Sequence, residues 1–494
     1  MAHIQVLDFS GGGVQSYRTA FIATAAILSI SVLIRRLRSN VCAKYSAIGD
    51  KAPTTNLGNL LTESYSKYRN SIFTLHTVYQ SFIILPVSFL DEIKSLPENK
   101  ANFAQAFHRF YCLHTPLEVP DGSVIRVIGV DLTRNFSHII ESLQSECQFV
   151  FPREMPECPA DTWTPVHLYP VLARMVALLT ARVFVGLPLS RNEEWVNITT
   201  GFTINAFGGA AKLRTYNGLL HPFVARLIPE INAAYKHLAD AKTLLKPIFY
   251  KKLQELGDPD FKLSNNDFMA MLIKQASKEG KSLDYQVKAQ LNISMAAIHT
   301  TSAQLAQTIY DVAWRTKYQA PLREELESVL AESNEVQRMN PPSPVALHRL
   351  VTSNLKLSNG DVLPKGTCIG ISNAGVTSDP KIWDQPDEFD GFRFEKLRQK
   401  PGQQTSHQRQ ESEALLDLSG RNFLLTINLG HGSHACPGRF FASAEIKVLL
   451  AHFLLNSDMQ IAERPQNIYN GLDSAANPFA KVEFRKKKPK TARS

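Results

Sequence analysis

From Ser282 to Arg315 the apolar residues Val287, Leu291, Met295, Ile298, Leu305, Ile309 and Val312 recur at helical spacing. A stripe of this length suits one long helix buried in a core, with Ser282 placed to cap its N-terminus. Other helical stretches accompany it: Pro165–Leu187, Leu219–Leu256 and Gly438–Leu455. Strand-like pieces are short. They are Ser71–Leu75, Gln80–Leu85 and Leu355–Leu363, the last with Asn359–Gly360 as a hairpin signal. The pattern predicts a mainly α fold with small β-sheets. The chain has 494 residues, 44% of them hydrophobic and 20% charged, enough for one large core and against wholesale disorder. One domain is expected over residues 57–494, with Pro401–Gly420 as a polar loop within it.

The N-terminus reads differently. Thr19–Ile34 is uncharged and mostly apolar, and Arg35, Arg36 and Arg38 follow it. A cleaved signal peptide is the competing reading. The basic residues lie after the apolar run, however, and no small-residue cleavage site separates them. Residues 1–40 are therefore expected to be a luminal segment and single membrane anchor, and 41–56 a linker. The positive-inside rule then places the rest of the chain in the cytosol.

The net charge is +9, but the basic residues are dispersed apart from Arg485–Lys490. No zinc-finger spacing or RNA-binding signature accompanies them, so the charge points to a membrane surface or an acidic partner, with no nucleic acid expected. The cysteines (Cys42, Cys112, Cys147, Cys158, Cys368 and Cys436) have no paired spacing, which fits a reducing compartment.

One cysteine stands apart. Cys436 lies in INLGHGSHACPGRFFA, Ile427–Ala442, among Gly430, Gly432 and Gly438 and directly before a helical run. The glycines permit close backbone approach, so a flat cofactor could lie against the loop. A cysteine just before a helix N-terminus is favoured as thiolate, and a thiolate is a strong donor to a metal. Two other readings stay open on the loop alone: zinc held by His431, His434 and Cys436, which lacks a fourth ligand, and a structural cysteine in a Gly-rich turn.

Gly-x-Gly-x-His-x-Cys-Pro-Gly-Arg resembles the haem-binding loop of the cytochrome P-450 family. The resemblance implies haem b with Cys436 as its axial thiolate, and Gly430, Gly432, His434 and Gly438 around it. Three further segments resemble the family in the same order along the chain. Ala296–Ser302, AAIHTTS, resembles its oxygen-activation segment, with Ala297 at the small position, Thr300 as the proton-delivering hydroxyl and His299 where an acid is usual. Glu335 and Arg338 resemble its Glu-x-x-Arg pair, followed by NPPSPVALHRLV, in which His348 and Arg349 resemble propionate-lining positions. FDGFRF, Phe389–Phe394, resembles the segment that supplies the pair's third partner, here Arg393.

The resemblance, with pieces similar to a fungal secondary-metabolism branch, implies a haem-thiolate monooxygenase. Its substrate would be an apolar terpenoid, including diterpenoid or indole-diterpenoid, or a polyketide, oxidised with dioxygen. The chain has no flavin or dinucleotide fingerprint, so a separate NADPH-cytochrome reductase, with cytochrome b5 as a second donor, is expected at the endoplasmic reticulum membrane. A redox-neutral isomerase or dehydratase and a non-catalytic relative are the alternatives. Val345, Ala346 and Ala475–Phe479 are expected to face substrate.

The sequence also departs from the family. Leu429 stands where an aromatic residue is usual. Arg323–Ser333 runs almost directly into Glu335, where another turn and most of a helix are usual. No propionate-gripping helix is obvious after Tyr111, which leaves Arg126 and Arg134 as candidates.

Overall fold

The computed structural model describes residues 44–49, 57–77, 80–112, 114–256, 267–275, 282–324, 335–398, 415–417, 422–424, 428–430, 435–470 and 473–487. The expected anchor, nearly all of the linker and the 401–414 part of the polar loop lie outside them. Among the described residues no helix is long and apolar enough to cross a membrane.

The principal helices are α1 (Leu57–Tyr68), α2 (Phe136–Glu154), α3 (Leu168–Phe184), α4 (Glu193–Arg214), α5 (Pro229–Glu255), α6 (Leu283–Trp314), α7 (Asn373–Thr377) and α8 (Arg439–Asn456). Helix α6 is the predicted long helix. The Ser282 side chain accepts the Tyr285 N–H at 3.3 Å, and every residue of the predicted stripe is buried. Helices α3, α4, α5 and α8 all pack against it, so α6 is the axis of the larger hydrophobic core. Phe151 of α2 stacks edge-on against Phe453 of α8 at 4.9 Å, and Phe453 continues to Phe484 at 5.7 Å.

Tertiary context moves two predicted helix boundaries. The stretch from Pro165 starts as a strand because Thr164–His167 pairs antiparallel with Lys481–Lys486; α3 begins only after it. The stretch from Leu219 breaks before Pro229. Ile228 is held extended (φ −82°, ψ 115°), as a residue before proline prefers, and Pro229 then opens α5 as its first residue.

The strands are β1 (Ser46–Ile48), β2 (Phe73–His76), β3 (Ser81–Leu85), β4 (Ala101–Asn102), β5 (Thr164–His167), β6 (Val345–Val351), β7 (Leu355–Lys356), β8 (Val362–Leu363), β9 (Cys368–Ser372), β10 (Leu415–Asp417), β11 (Asn422–Leu424), β12 (Ser457–Gln460), β13 (Ile468–Asn470), β14 (Asp473–Ala475) and β15 (Lys481–Lys486). The largest sheet has the order β1-β2-β3-β9-β6-β4 and carries the second core on its faces. Strands β7 and β8 form the predicted hairpin, with Gly360 at φ +90° in its turn.

Strand β6 is irregular in a way its sequence does not announce. Ala346 pairs with Ile371 and Arg349 with Ile369, so Leu347 and His348 together face Gly370. This is a β-bulge, and Leu347 takes a positive φ of 55° to form it. Strict alternation would send Ala346 and Arg349 to opposite faces. The extra residue returns them to the same face.

Helix α7 packs on α1 through a position that tolerates no side chain. A Cβ at Gly375 would lie 2.2 Å from Cγ and 2.4 Å from Cβ of the buried Tyr65. Gly375→Ala should therefore destabilise by about 1–3 kcal/mol. Gly122→Ala, where nothing lies within 4 Å of a new Cβ, should not. Comparing thermal unfolding midpoints of the two variants checks this, and equal midpoints would contradict it.

Candidate functional site

Cys436 precedes α8 as the spacing predicts. Its N–H donates to the carbonyl of Leu429 at 2.7 Å, closing a turn in which Gly430 has φ +74°. That is the left-handed region glycine occupies without cost. Burial pushes the Cys436 thiol up, while the N–H groups of Gly438 and Arg439 and the Arg439 guanidinium act in the opposite direction. The expected thiolate preference is thus present at the helix terminus but outweighed by desolvation in the polypeptide alone. An electropositive partner at sulfur is what would tip it. Gly438 has an ordinary φ of −87°, and a Cβ there would meet only Ile128 Cγ2, at 3.8 Å. Nothing in the described polypeptide requires glycine at 438. His431, Gly432 and His434 lie outside the described residues. The described cysteines Cys147, Cys158, Cys368 and Cys436 form no disulfide.

The turn that carries Cys436 is braced from behind. Residues 335–339 are helical and present Glu335 and Arg338 on one side. Arg338 donates to both Glu335 carboxylate oxygens, from Nε at 2.9 Å and Nη2 at 2.8 Å, and from Nη1 to the Thr377 carbonyl at 2.7 Å. Arg393 Nε donates to Glu335 Oε1 at 3.1 Å. The three predicted members therefore meet, with Glu335 at 0% and Arg338 at 1% exposure. Arg393 also donates to the carbonyls of Gln385 at 3.1 Å and Glu388 at 2.8 Å, and to that of Asp384.

Asn428, which no motif singled out, links this network to the thiol. Its Nδ2 donates to the Gln337 carbonyl at 2.9 Å and its Oδ1 accepts from Asn373 Nδ2 at 2.8 Å. Its neighbour in the chain, Leu429, holds the Cys436 N–H. Leu429 thus contributes its backbone carbonyl, which an aromatic residue would supply equally.

A second polar circuit braces the same short helix against α6. The Asp311 carboxylate accepts from Arg464 Nε at 2.9 Å and Nη2 at 3.1 Å, and from Arg315. Arg464 reaches Gln307 at 2.7 Å, Gln307 reaches Asn467 at 2.7 Å, and Asn467 reaches Asn340 at 3.1 Å. Most of the shortened connection, residues 325–334, lies outside the described residues. Asn340, at the other end of the helix, is where these bonds fix it.

Opposite requirements meet in the middle of α6. Met295, Ile298, Thr301 and Ser302 are buried, yet Ala296 and Thr300, one turn apart, are exposed and Ala297 is half-buried. On a helix packed by four others, that exposure marks an open face inside the fold. Thr300 Oγ1 donates to the Ala296 carbonyl at 2.7 Å. His299 is turned to α3, where Tyr169 Oη lies 3.3 Å from its Nδ1. Burial holds the imidazole down to about 4, so it is neutral.

The bulged strand supplies cationic donors. Arg349 is 3% exposed, and its Nη1 donates to the His348 carbonyl at 2.8 Å. Its Nε and Nη2 have no partner, nor do His348 Nε2 and Arg439 Nε. Burial holds Arg349 down to about 10; burial first and the Arg349 charge second hold His348 down to about 4. Buried donors without acceptors are costly, about 1–3 kcal/mol each, so these are the signature of an anionic group that belongs there. The donor set, a soft sulfur and orphaned guanidinium nitrogens, fits a haem with carboxylate side chains. Two of the three residues of the zinc alternative, His431 and His434, lie outside the described residues, among which no group of three ligating side chains converges.

Other expected positions fall elsewhere. Val345 is fully buried and packs with Leu57 and Phe73 in the sheet core, because it lies on the face away from Ala346. Ala476 is core, whereas Phe479 is 77% exposed. Arg126 and Arg134 are exposed and form no ion pair among the described residues.

Two predictions follow from burial here. Glu335→Gln leaves two guanidinium groups without their counter-charge and should cost about 3–5 kcal/mol. Removing the exposed Lys236–Asp240 pair should cost less than about 1 kcal/mol. Chemical denaturation of both variants tests the contrast, and equal losses would refute it. His299 and His348 stay neutral when folded down to about 4 but take up protons from about 6.5 when unfolded. The stability they contribute is complete above 6.5 and is lost as pH falls toward 4, by about 3 kcal/mol per histidine in the haem-free chain. His348→Gln should flatten the acid limb of the unfolding midpoint against pH; an unchanged limb would count against it.

The chain is similar to known proteins along most of its length. The family model described as Cytochrome P450 matches residues 204–480. The cytochrome P450 monooxygenase BOA4 of Botryotinia fuckeliana is 36% identical over 89% of this chain and 90% of its own. The cytochrome P450 monooxygenase ascG of Acremonium egyptiacum is 30% identical over 97% of each chain. Among solved structures, the retinoic acid-bound cyanobacterial CYP120A1 superposes with a TM-score of 0.65 over 90% of this chain and 99% of its own, at 15% identity.

Proposed function

Because the chain belongs to the cytochrome P450 family of monooxygenases, we propose that it oxidises an apolar fungal secondary metabolite, a terpenoid or a polyketide, at a haem b held by Cys436. The observation that carries this reading is the braced presentation of Cys436. A fully buried charge network fixes residues 335–339, Asn428 joins that helix to the turn, and the Leu429 carbonyl orients the cysteine.

Bound haem would supply the binding and reductive activation of dioxygen at its iron. The chain's own residues do the rest. Cys436 Sγ would hold the group through its sulfur, and the N–H groups of Gly438 and Arg439 lie where they would moderate the charge on it. Arg349 through Nε and Nη2, and Arg439 through Nε, would hold the cofactor's carboxylates with nitrogens that have no partner in the chain. Thr300 stands on the open face of α6 with a hydroxyl that can exchange its donation to the Ala296 carbonyl for donation to a bound water. Ala296 and Ala297 keep that face free of bulk. Ala346, on the same side of β6 as Arg349, supplies a small apolar contact for substrate.

The electrons come from a separate NADPH-cytochrome reductase, with cytochrome b5 as a second donor. The apolar run Thr19–Ile34 followed by arginines anchors the chain in the endoplasmic reticulum membrane with the catalytic domain in the cytosol. The neutral His299 in a position usually acidic gives one reason to keep a redox-neutral rearrangement in view.

The test is expression in microsomes with a fungal reductase. The reduced, carbon monoxide-treated wild type should show the red-shifted Soret band of thiolate-ligated haem, and Cys436→Ala should lose it. A band typical of a neutral ligand in the wild type would overturn the assignment of Cys436. With a turned-over substrate, oxygen-18 from dioxygen should enter the product; unlabelled product would favour the redox-neutral reading.

A further inference from the structure

Strand β4 ends after two residues, beside Arg349. It pairs antiparallel with β6, Ala101 opposite Val351 and Asn102 opposite Leu350. The next residue, Phe103, therefore falls opposite Arg349 and on its face of the sheet. The strand stops there because Asn102 turns it into a helix. The Asn102 side chain accepts the Gln105 N–H at 2.7 Å and caps the helix Phe103–Phe107. The Phe103 ring is left beside the guanidinium, with Arg349 Cζ 5.8 Å from its centroid.

That ring is held from its other side. Phe107 lies 6.1 Å from it, Tyr111 4.9 Å from Phe107, and Phe207 of α4 5.5 Å from Tyr111. Four residues of α winding overshoot a full turn by about 40°, whereas the wider π winding of His108–Cys112 falls short of one. The two drifts oppose each other. Phe103, Phe107 and Tyr111 therefore stay in one line, and Phe103 keeps its place although 37% exposed.

The chain itself ties the guanidinium at one nitrogen. Nη1 donates to the His348 carbonyl, while Nε and Nη2, which form one edge, are buried and have no partner. By the same edge Arg338 grips Glu335. The Glu98 carboxylate does not fill it, and accepts instead from Asn102 Nδ2 at 3.4 Å. A free edge of this kind takes a carboxylate by two parallel bonds, provided the fork is kept from swinging.

We propose that Phe103 is a positioning residue for cofactor binding: its ring holds the Arg349 guanidinium by a cation–π contact, so that the Nε–Nη2 edge stays presented to a cofactor carboxylate. The ring uses no N–H group, so it steadies the guanidinium without competing with the carboxylate for donors. This inference rests on the haem reading above and deepens it.

The test is haem release from the full-length, haem-loaded protein, read as transfer to excess apomyoglobin. Phe103→Leu keeps apolar bulk and removes the π face, and should speed transfer roughly threefold or more. Phe103→Tyr keeps the face and should transfer haem at the wild-type rate. Phe107→Leu, one step along the same line of rings, should also match wild type. In an Arg349→Gln background Phe103→Leu should add nothing. A Phe103→Leu protein at the wild-type rate, an equal acceleration from Phe107→Leu, or additive effects of Phe103→Leu and Arg349→Gln would overturn the inference. A wild type without the thiolate-type carbon monoxide band would instead overturn the proposed function itself.

Discussion

The buried carboxylate of Glu335 is the point on which the site depends. Two guanidinium groups face it, so the cluster carries a net positive charge around a carboxylate that water does not reach. Ion pairs in such places repay their desolvation only when every remaining donor is satisfied. Here carbonyls do that work. Thr377 takes one Arg338 nitrogen, and Asp384, Gln385 and Glu388 take those of Arg393. Asp390 adds its N–H to Glu335 at 3.3 Å. Because those carbonyls belong to two stretches of chain, one at Thr377 and one at Asp384–Glu388, the charge cluster holds them in one arrangement. Asn428 and the turn of Cys436 hang from that arrangement.

Strand β6 shows how a backbone irregularity makes one strand serve two needs. Val345 packs in the core on one face of the sheet, whereas Ala346, Arg349 and Val351 must all lie on the other. A period of two cannot satisfy all four. The bulge at Leu347 and His348 resets the phase, and Gly370 on the partner strand makes room for it. A Cβ at Gly370 would lie 2.5 Å from Val345 Cγ1 and 3.2 Å from the Ala346 carbonyl oxygen. The positive φ of Leu347 is the strain that accompanies this, and such strain persists only where the surroundings over-determine it.

What the sequence revealed depended on how local each signal was. Helix α6, its Ser282 cap and the hairpin at Asn359–Gly360 follow from spacing within a few turns, and all are present. The Glu335–Arg338–Arg393 meeting was legible only through resemblance, since Arg393 is remote in the chain from its partners. Asn428 and Tyr169 were not legible. Each acts through one side-chain hydrogen bond or a few across a long separation, and an asparagine or a tyrosine carries no periodicity to betray that. The helix break at Pro229 was locally encoded but masked by apolar residues on both sides. The strand β5 was invisible because its partner, β15, lies at the other end of the domain.

The orphaned donors on Arg349, His348 and Arg439 connect stability with function. A guanidinium buried with free nitrogens is a deficit the polypeptide carries until an acceptor arrives. The open face of α6 is a second deficit, since Ala296 and Thr300 forgo the packing that their neighbours enjoy. Both deficits would be removed by one event, the binding of a large flat anion against the cysteine turn. Folding and cofactor binding are then one linked equilibrium, in which the bound group stabilises the chain in proportion to its affinity. The Asp311–Arg464–Gln307–Asn467–Asn340 circuit belongs to the same logic. It ties the C-terminal part of α6 to the end of the Glu335 helix, so that these two elements keep a fixed separation.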